Sequence, residues 1–123
     1  MATELDKLLE ETVQTGPHPP VHLMVMNGPE DGRIFPLTKD STTIGRLDSN
    51  DVALCLDPVV SRSHARILRE GDRFFVVDLN SKFGSEVNGM RIDGGGRKEL
   101  SQDCMIRIGE TMLRFRLTDP ATM

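Results

Sequence analysis

The sequence has no tryptophan, no tyrosine and only two cysteines, and no apolar run reaches the ~18 residues of a membrane-spanning helix. A transmembrane helix is therefore excluded, and no membrane partner is expected. A secretory signal would need a basic segment followed by an apolar one, but the N-terminus carries acids there. A cytoplasmic location is the expectation. Cys55 and Cys104 lie far apart, each beside apolar residues, which predicts two buried reduced thiols rather than a disulfide. No CxxC or Cys/His spacing suggests zinc. Gly94-Gly95-Gly96 is not followed by GK[ST], so it is a flexible loop tip and not a nucleotide loop. No cofactor or metal is expected.

Positive charge is also scarce: 15 Lys and Arg stand against 19 Asp and Glu, a net charge of −4. Residues 1–11 hold Glu4, Asp6, Glu10 and Glu11 against Lys7 alone, so most of the imbalance sits at the N-terminus. Duplex nucleic acid, which needs many Lys/Arg–phosphate contacts, is a disfavoured partner. One charge-assisted pocket is compatible with this balance, since net charge says little about a single site. With 123 residues, 37% hydrophobic and 28% charged, the chain has the make-up of one globular domain.

What is present falls into three parts. Residues 1–20 read as a flexible acidic tail. Within it Leu5, Leu8, Leu9 and Val13 recur at helical spacing, and Thr3 is placed to cap a short helix. Gly16-Pro17-His18-Pro19-Pro20 breaks that pattern and marks the boundary. Residues 21–117 turn to short β-type runs separated by turn residues, and 118–123 form a C-terminal tail. Strands are predicted over Val21–Met26, Arg33–Leu37, Thr42–Ile44, Val52–Leu56, Ala65–Arg69, Phe74–Val77, Met90–Ile92, Met105–Ile108 and Thr111–Leu117, with Val87 leading into the Asn88-Gly89 hairpin. Many short strands without a second helix mean an all-β sandwich or barrel.

Three clusters sit where apolar runs stop, and loops held by strands are where ligand sites gather. They are Ile44-Gly45-Arg46, then Ser61-Arg62-Ser63-His64-Ala65-Arg66, then Asp78-Leu79-Asn80-Ser81-Lys82-Phe83-Gly84-Ser85 with Val87-Asn88-Gly89. Together they supply a guanidinium, several hydroxyls and tight turns, the equipment for holding a phosphate without reacting with it. Taken singly, each residue has a plainer reading. Arg46 could pair with Asp48 or Asp51 on the surface. Ser61 could bond its own turn. Ser61 and His64 lack a carboxylate partner and oxyanion donors, so a nucleophilic pair is rejected and an enzyme is not expected.

In their order and spacing these residues resemble the forkhead-associated (FHA) domain family, over roughly Val21 to Leu117. The resemblance implies a two-sheet β-sandwich of about eleven strands and a loop site for phosphothreonine peptides, without catalysis or cofactor. It implies that Arg46 and Ser61 bind phosphate, and that His64, Gly45, Gly84 and Asn88 support the binding loops. Asn88-Gly89 reads first as a hairpin turn. Arg62 stands where the family contacts peptide, or is simply a solvated charge.

Two positions depart from the family's usual Ser-Thr-Asn-Gly-Thr. Lys82 replaces a hydroxyl and can serve the phosphate as a point charge. Phe83 replaces an asparagine that bonds peptide backbone, which Phe83 cannot do. It either offers the peptide an apolar contact or folds back onto the sandwich.

The leading expectation is a signalling adaptor for a phosphothreonine-containing partner of a Ser/Thr kinase. One alternative is a phosphorylation-independent interaction or self-association domain, suggested by Lys82 and Phe83. Another is autoinhibition by the tail, whose Thr3, Thr12 or Thr15 could enter the site once phosphorylated.

Overall fold

The computed structural model describes residues 21–117. The expected tail helix, its threonines, the boundaries at residues 20 and 118 and the C-terminal tail lie outside them. Eleven strands form two sheets. In chain order they are β1 (Val21–Val25), β2 (Ile34–Pro36), β3 (Ser41–Gly45), β4 (Val52–Ala53), β5 (Ala65–Glu70), β6 (Arg73–Asp78), β7 (Ser85–Val87), β8 (Met90–Ile92), β9 (Arg97–Leu100), β10 (Met105–Ile108) and β11 (Thr111–Leu117). One sheet has the order β2-β1-β11-β10-β7-β8, the other β4-β3-β5-β6-β9. Only β3 and β4 pair in parallel; the rest are antiparallel.

The period-two patterns explain the layers. Leu23 and Val25, Ile106 and Ile108, Leu113 and Phe115 point inward from one sheet; Ile44, Ile67, Phe74 and Val76 face them from the other. At the centre the rings of Phe115 and Phe74 lie 5.4 Å apart, tilted by 54°. Phe115 is fully buried, so Phe115→Ala is expected to cost about 3–5 kcal/mol, read as a lowered denaturation midpoint at unchanged slope.

Three differences from the sequence reading have local causes. β9 has no apolar alternation, because Arg97 and Glu99 on this edge strand serve as charge pairs to Glu70 and Arg73. Arg97 also caps Phe75, its guanidinium 3.9 Å from the ring centroid on the outer face of the sheet. β4 is only two residues long, since Leu54 turns into the core while Cys55 and Leu56 swing outward. Cys55 is therefore exposed, not buried as expected; both thiols are free. Cys104 is buried, and burial pushes its thiol pKa up, which keeps it protonated and unreactive at neutral pH.

Candidate functional site

β3 ends at Gly45 because the next loop must cross there. A Cβ on Gly45 would lie 2.1 Å from the Arg62 carbonyl oxygen and 2.7 Å from the Asn50 amide nitrogen. This close approach lets the β3–β4 and β4–β5 loops join. The Arg46 N–H donates to the Ser61 carbonyl at 3.0 Å, and Asn50 Nδ2 donates to the carbonyls of Leu47 and Arg62, both at 2.9 Å. Farther along, Lys39 bonds the Asp51 carboxylate and the Thr43 N–H adds a second bond, which holds the Asp51 carboxyl below the usual carboxylate range. Asp51 is thus committed to the base of the loop and not to Arg46.

The Arg46 side chain is half-buried and oriented by one bond, Nε donating to the Val60 carbonyl at 3.0 Å. Among the described residues no carboxylate pairs with it. Its two terminal nitrogens remain as a fork of donors, the geometry that suits two phosphate oxygens. Ser61 Oγ accepts the Lys82 N–H at 3.1 Å, so its own hydroxyl proton can be donated elsewhere. These bonds bring Arg46, Ser61 and the Lys82 part of the β6–β7 loop to one rim of the sandwich.

His64 fastens the same loops from beneath. It is fully buried; its Nδ1 accepts the Ser61 N–H at 3.0 Å. Nε2 must then carry the ring proton, which it donates to the Gly84 carbonyl 2.9 Å away. Gly84 has φ +80, where a side chain would be strained, and a Cβ would meet the Arg91 guanidinium at 3.0–3.1 Å.

The two departures from the family pattern face solvent. Lys82 is exposed with its ammonium 5.5 Å from the Phe83 ring centroid, and Phe83 is 54% exposed. The ring has not folded back onto the core. Arg62 is exposed as well. Asn88 sits apart: with φ +49 in the β7–β8 turn, its Oδ1 accepts the Met105 N–H at 2.9 Å, tying that turn to β10.

Residues 42–109 match the family model of the FHA domain. The chain belongs to the FHA domain family. It is 38% identical over 98 residues to the glycogen accumulation regulator GarA of Mycolicibacterium smegmatis, covering 80% of this chain and 59% of GarA's length. Among solved structures it is similar to Mycobacterium tuberculosis EmbR in complex with a low-affinity phosphopeptide, at 30% identity and a TM-score of 0.76. That match covers 96% of this chain and 30% of EmbR. A structure from a study of phosphothreonine-dependent FHA domain interactions aligns with a TM-score of 0.71 and 30% identity, over 80% of this chain and 97% of the other.

In this FHA domain one residue of the third cluster, to which the sequence alone assigned no role, organises the loop. Asp78 is fully buried, and its carboxylate accepts the Ser81 hydroxyl at 2.6 Å, the Ser81 N–H at 3.1 Å and the Ser85 hydroxyl at 2.8 Å. Ser81 Oγ in turn accepts the Gly84 N–H at 2.8 Å. The β6–β7 loop that presents Lys82 and Phe83 is therefore wound on a single carboxylate. The available signal was Asp78-x-x-Ser81 directly after the apolar run Phe74–Val77, a side-chain-bonded turn.

Proposed function

We propose that this FHA domain is a non-catalytic recognition module that binds phosphothreonine in a partner protein, downstream of a Ser/Thr kinase. The observation that carries this reading is the Arg46 guanidinium, fixed through Nε with two terminal nitrogens left over, on a residue whose N–H is bonded to the Ser61 carbonyl. A phosphoryl group with a charge of about −1.5 to −2 and three acceptor oxygens satisfies that donor set. Lys82 adds a nearby point charge, and Arg62 and Phe83 are exposed where peptide flanking the phosphate would pass. His64, Gly45 and Gly84 hold the donors in place, so little ordering is left for the moment of binding. The phosphopeptide complex of EmbR and the phosphothreonine-dependent interactions of a similar FHA domain support the same reading.

The test is calorimetric titration with a phosphothreonine peptide and its dephosphorylated form. Loss of at least a hundredfold in affinity on dephosphorylation is expected. Equal affinity would overturn the reading. It would favour instead a phosphorylation-independent interaction surface, the reading that the exposed Phe83 and Leu56 encourage.

A further inference from the structure

The outer face of the six-stranded sheet carries a methionine patch set among arginines. Alternation sends Val21, Leu23 and Val25 of β1 into the core and turns His22 and Met24 outward; in β11 it turns Met112, Arg114 and Arg116 outward. The register assembles these side chains. Met24 lies opposite Ile34 on one side and Arg114 on the other, and Met105 of β10 lies beyond Arg114. One step along, the Met26 N–H bonds the Met112 carbonyl, and Arg107 is the next residue across. Ile34 is 51% exposed and Met26 37%. Every described strand belongs to one of the two sheets, so none lies across this face. Methionines adapt readily to an irregular apolar partner.

The same face has more positive charge than its own acids balance. Arg114 and Arg116 each lie 3.1 Å from one oxygen of Asp103, so a single carboxylate is divided between two guanidiniums. Arg116 Nε is not aligned to donate to that oxygen, and it is buried without a hydrogen-bond partner among the described residues. Arg107 gives Nε to the Gly109 carbonyl and forms no ion pair among the described residues, with Glu86 as its cross-strand neighbour. Arg91, farther out, is taken by Asp93. Burial, and after it the Arg116 charge, lowers the His22 pKa, so this imidazole is neutral at pH 7. Arg107, Arg114 and Arg116 thus outnumber Asp103 and Glu86, and an acidic partner complements the face.

The chain itself supplies one. Residues 1–20 join the body at Val21, the first residue of β1, within this sheet. In helical projection Leu5, Leu8, Leu9 and Val13 form one stripe, bordered by Glu4 on one side and Asp6 on the other, with Lys7 opposite. Residues 1–11 hold four acids against one lysine. A helix over residues 3–13 would be about 16 Å long and about 10–12 Å across. β1, β11 and β10 together are about 10 Å wide and β1 about 17 Å long, a matching area. Val13 to Val21 is up to about 26–29 Å of extended chain, enough to turn back along β1. So short a helix is marginal alone in water and needs an apolar surface to form.

We propose that residues 3–13 dock as an amphipathic helix on this face, the leucine stripe against Met24, Met105 and Met112 and the bordering carboxylates toward Arg107, Arg114 and Arg116. The contact needs no phosphorylation. It uses none of the residues assigned to phosphate, and it stands or falls independently of the phosphothreonine reading.

The test uses the full chain with 13C-methyl methionine and leucine, read by NMR. Cross-relaxation is expected between the methyls of Leu5, Leu8 or Leu9 and those of Met24, Met105 or Met112. Leu8→Asp with Leu9→Asp lies outside the sandwich and cannot unfold it. That pair should abolish the cross-peaks and shift the three methionine methyls, while Met90, on the other side of the β7–β8 edge, stays in place. Amide exchange over residues 5–13 should be at least tenfold slower in the wild type than in that variant or in Met112→Glu. Methionine resonances indifferent to the leucine substitutions, or a tail that exchanges equally fast in all three proteins, overturn the proposal. Cross-peaks found only between differently labelled copies in a mixed sample assign the face to a second chain and overturn it too.

Discussion

Replacing Arg46 with alanine is expected to weaken phosphothreonine-peptide binding by about 2–4 kcal/mol, roughly thirtyfold to nearly a thousandfold. The size follows from the donors lost. Two charge-assisted bonds to phosphate are worth about 1.5–3 kcal/mol each in favourable cases, and solvent reclaims part of that once the side chain is gone. Stability should change little, because Arg46 is half-buried and its one observed side-chain bond goes to the Val60 carbonyl. Arg46→Lys separates geometry from charge. An ammonium keeps the charge but presents its donors from a single atom, without the planar fork that gives two parallel bonds to phosphate, so most of the affinity should still be lost. Calorimetry on both variants checks this. Wild-type affinity in Arg46→Lys would mean that charge alone does the binding, and wild-type affinity in Arg46→Ala would place the phosphate elsewhere.

Asp78→Ala should be the most damaging substitution outside the apolar core. It strips the acceptor from two hydroxyls and one N–H around a fully buried position. Each stranded donor costs about 1–3 kcal/mol, so a total of about 3 kcal/mol or more is expected. In a domain of this size that lowers Tm by roughly 10–20 °C. The loop carrying Lys82 also loses its anchor, so phosphopeptide affinity should fall even at temperatures where the variant is folded. Ser85→Ala removes only one of the three bonds and leaves the Ser81 turn closed. Its cost should be about 1 kcal/mol, with binding retained. Thermal denaturation of the two variants side by side checks the ranking. An Asp78→Ala protein as stable as Ser85→Ala would show that the carboxylate does not organise the loop.

Much of the sandwich was legible because its strands alternate. β10 and β11 run over the predicted residues, since Ile106, Ile108, Leu113 and Phe115 supply a clear inward set. β9 was not legible, because an edge strand that works through charge pairs carries no apolar period. Cys55 was misplaced for a related reason: its apolar neighbours Leu54 and Leu56 point opposite ways at a turn, and composition alone cannot tell them apart. For the site, the ends of apolar runs located the loops of Arg46, Ser61 and Lys82. The polar residues that tie distant loops together were harder to find. Asp57 bonds Thr111, 54 positions away, and Asn27 bonds Glu110, 83 positions away. Such pairs are set by the packing of two sheets and leave no local pattern. Asp78 was the exception, since its partners lie within seven positions.

The most direct measurement is a crystal structure of the chain with a phosphothreonine peptide bound. The account predicts phosphate oxygens within hydrogen-bond distance of both terminal nitrogens of Arg46 and of Ser61 Oγ, with the His64–Gly84 bond unchanged. A phosphate bound away from Arg46, or a peptide seated on the sandwich with its phosphate in solvent, would contradict it.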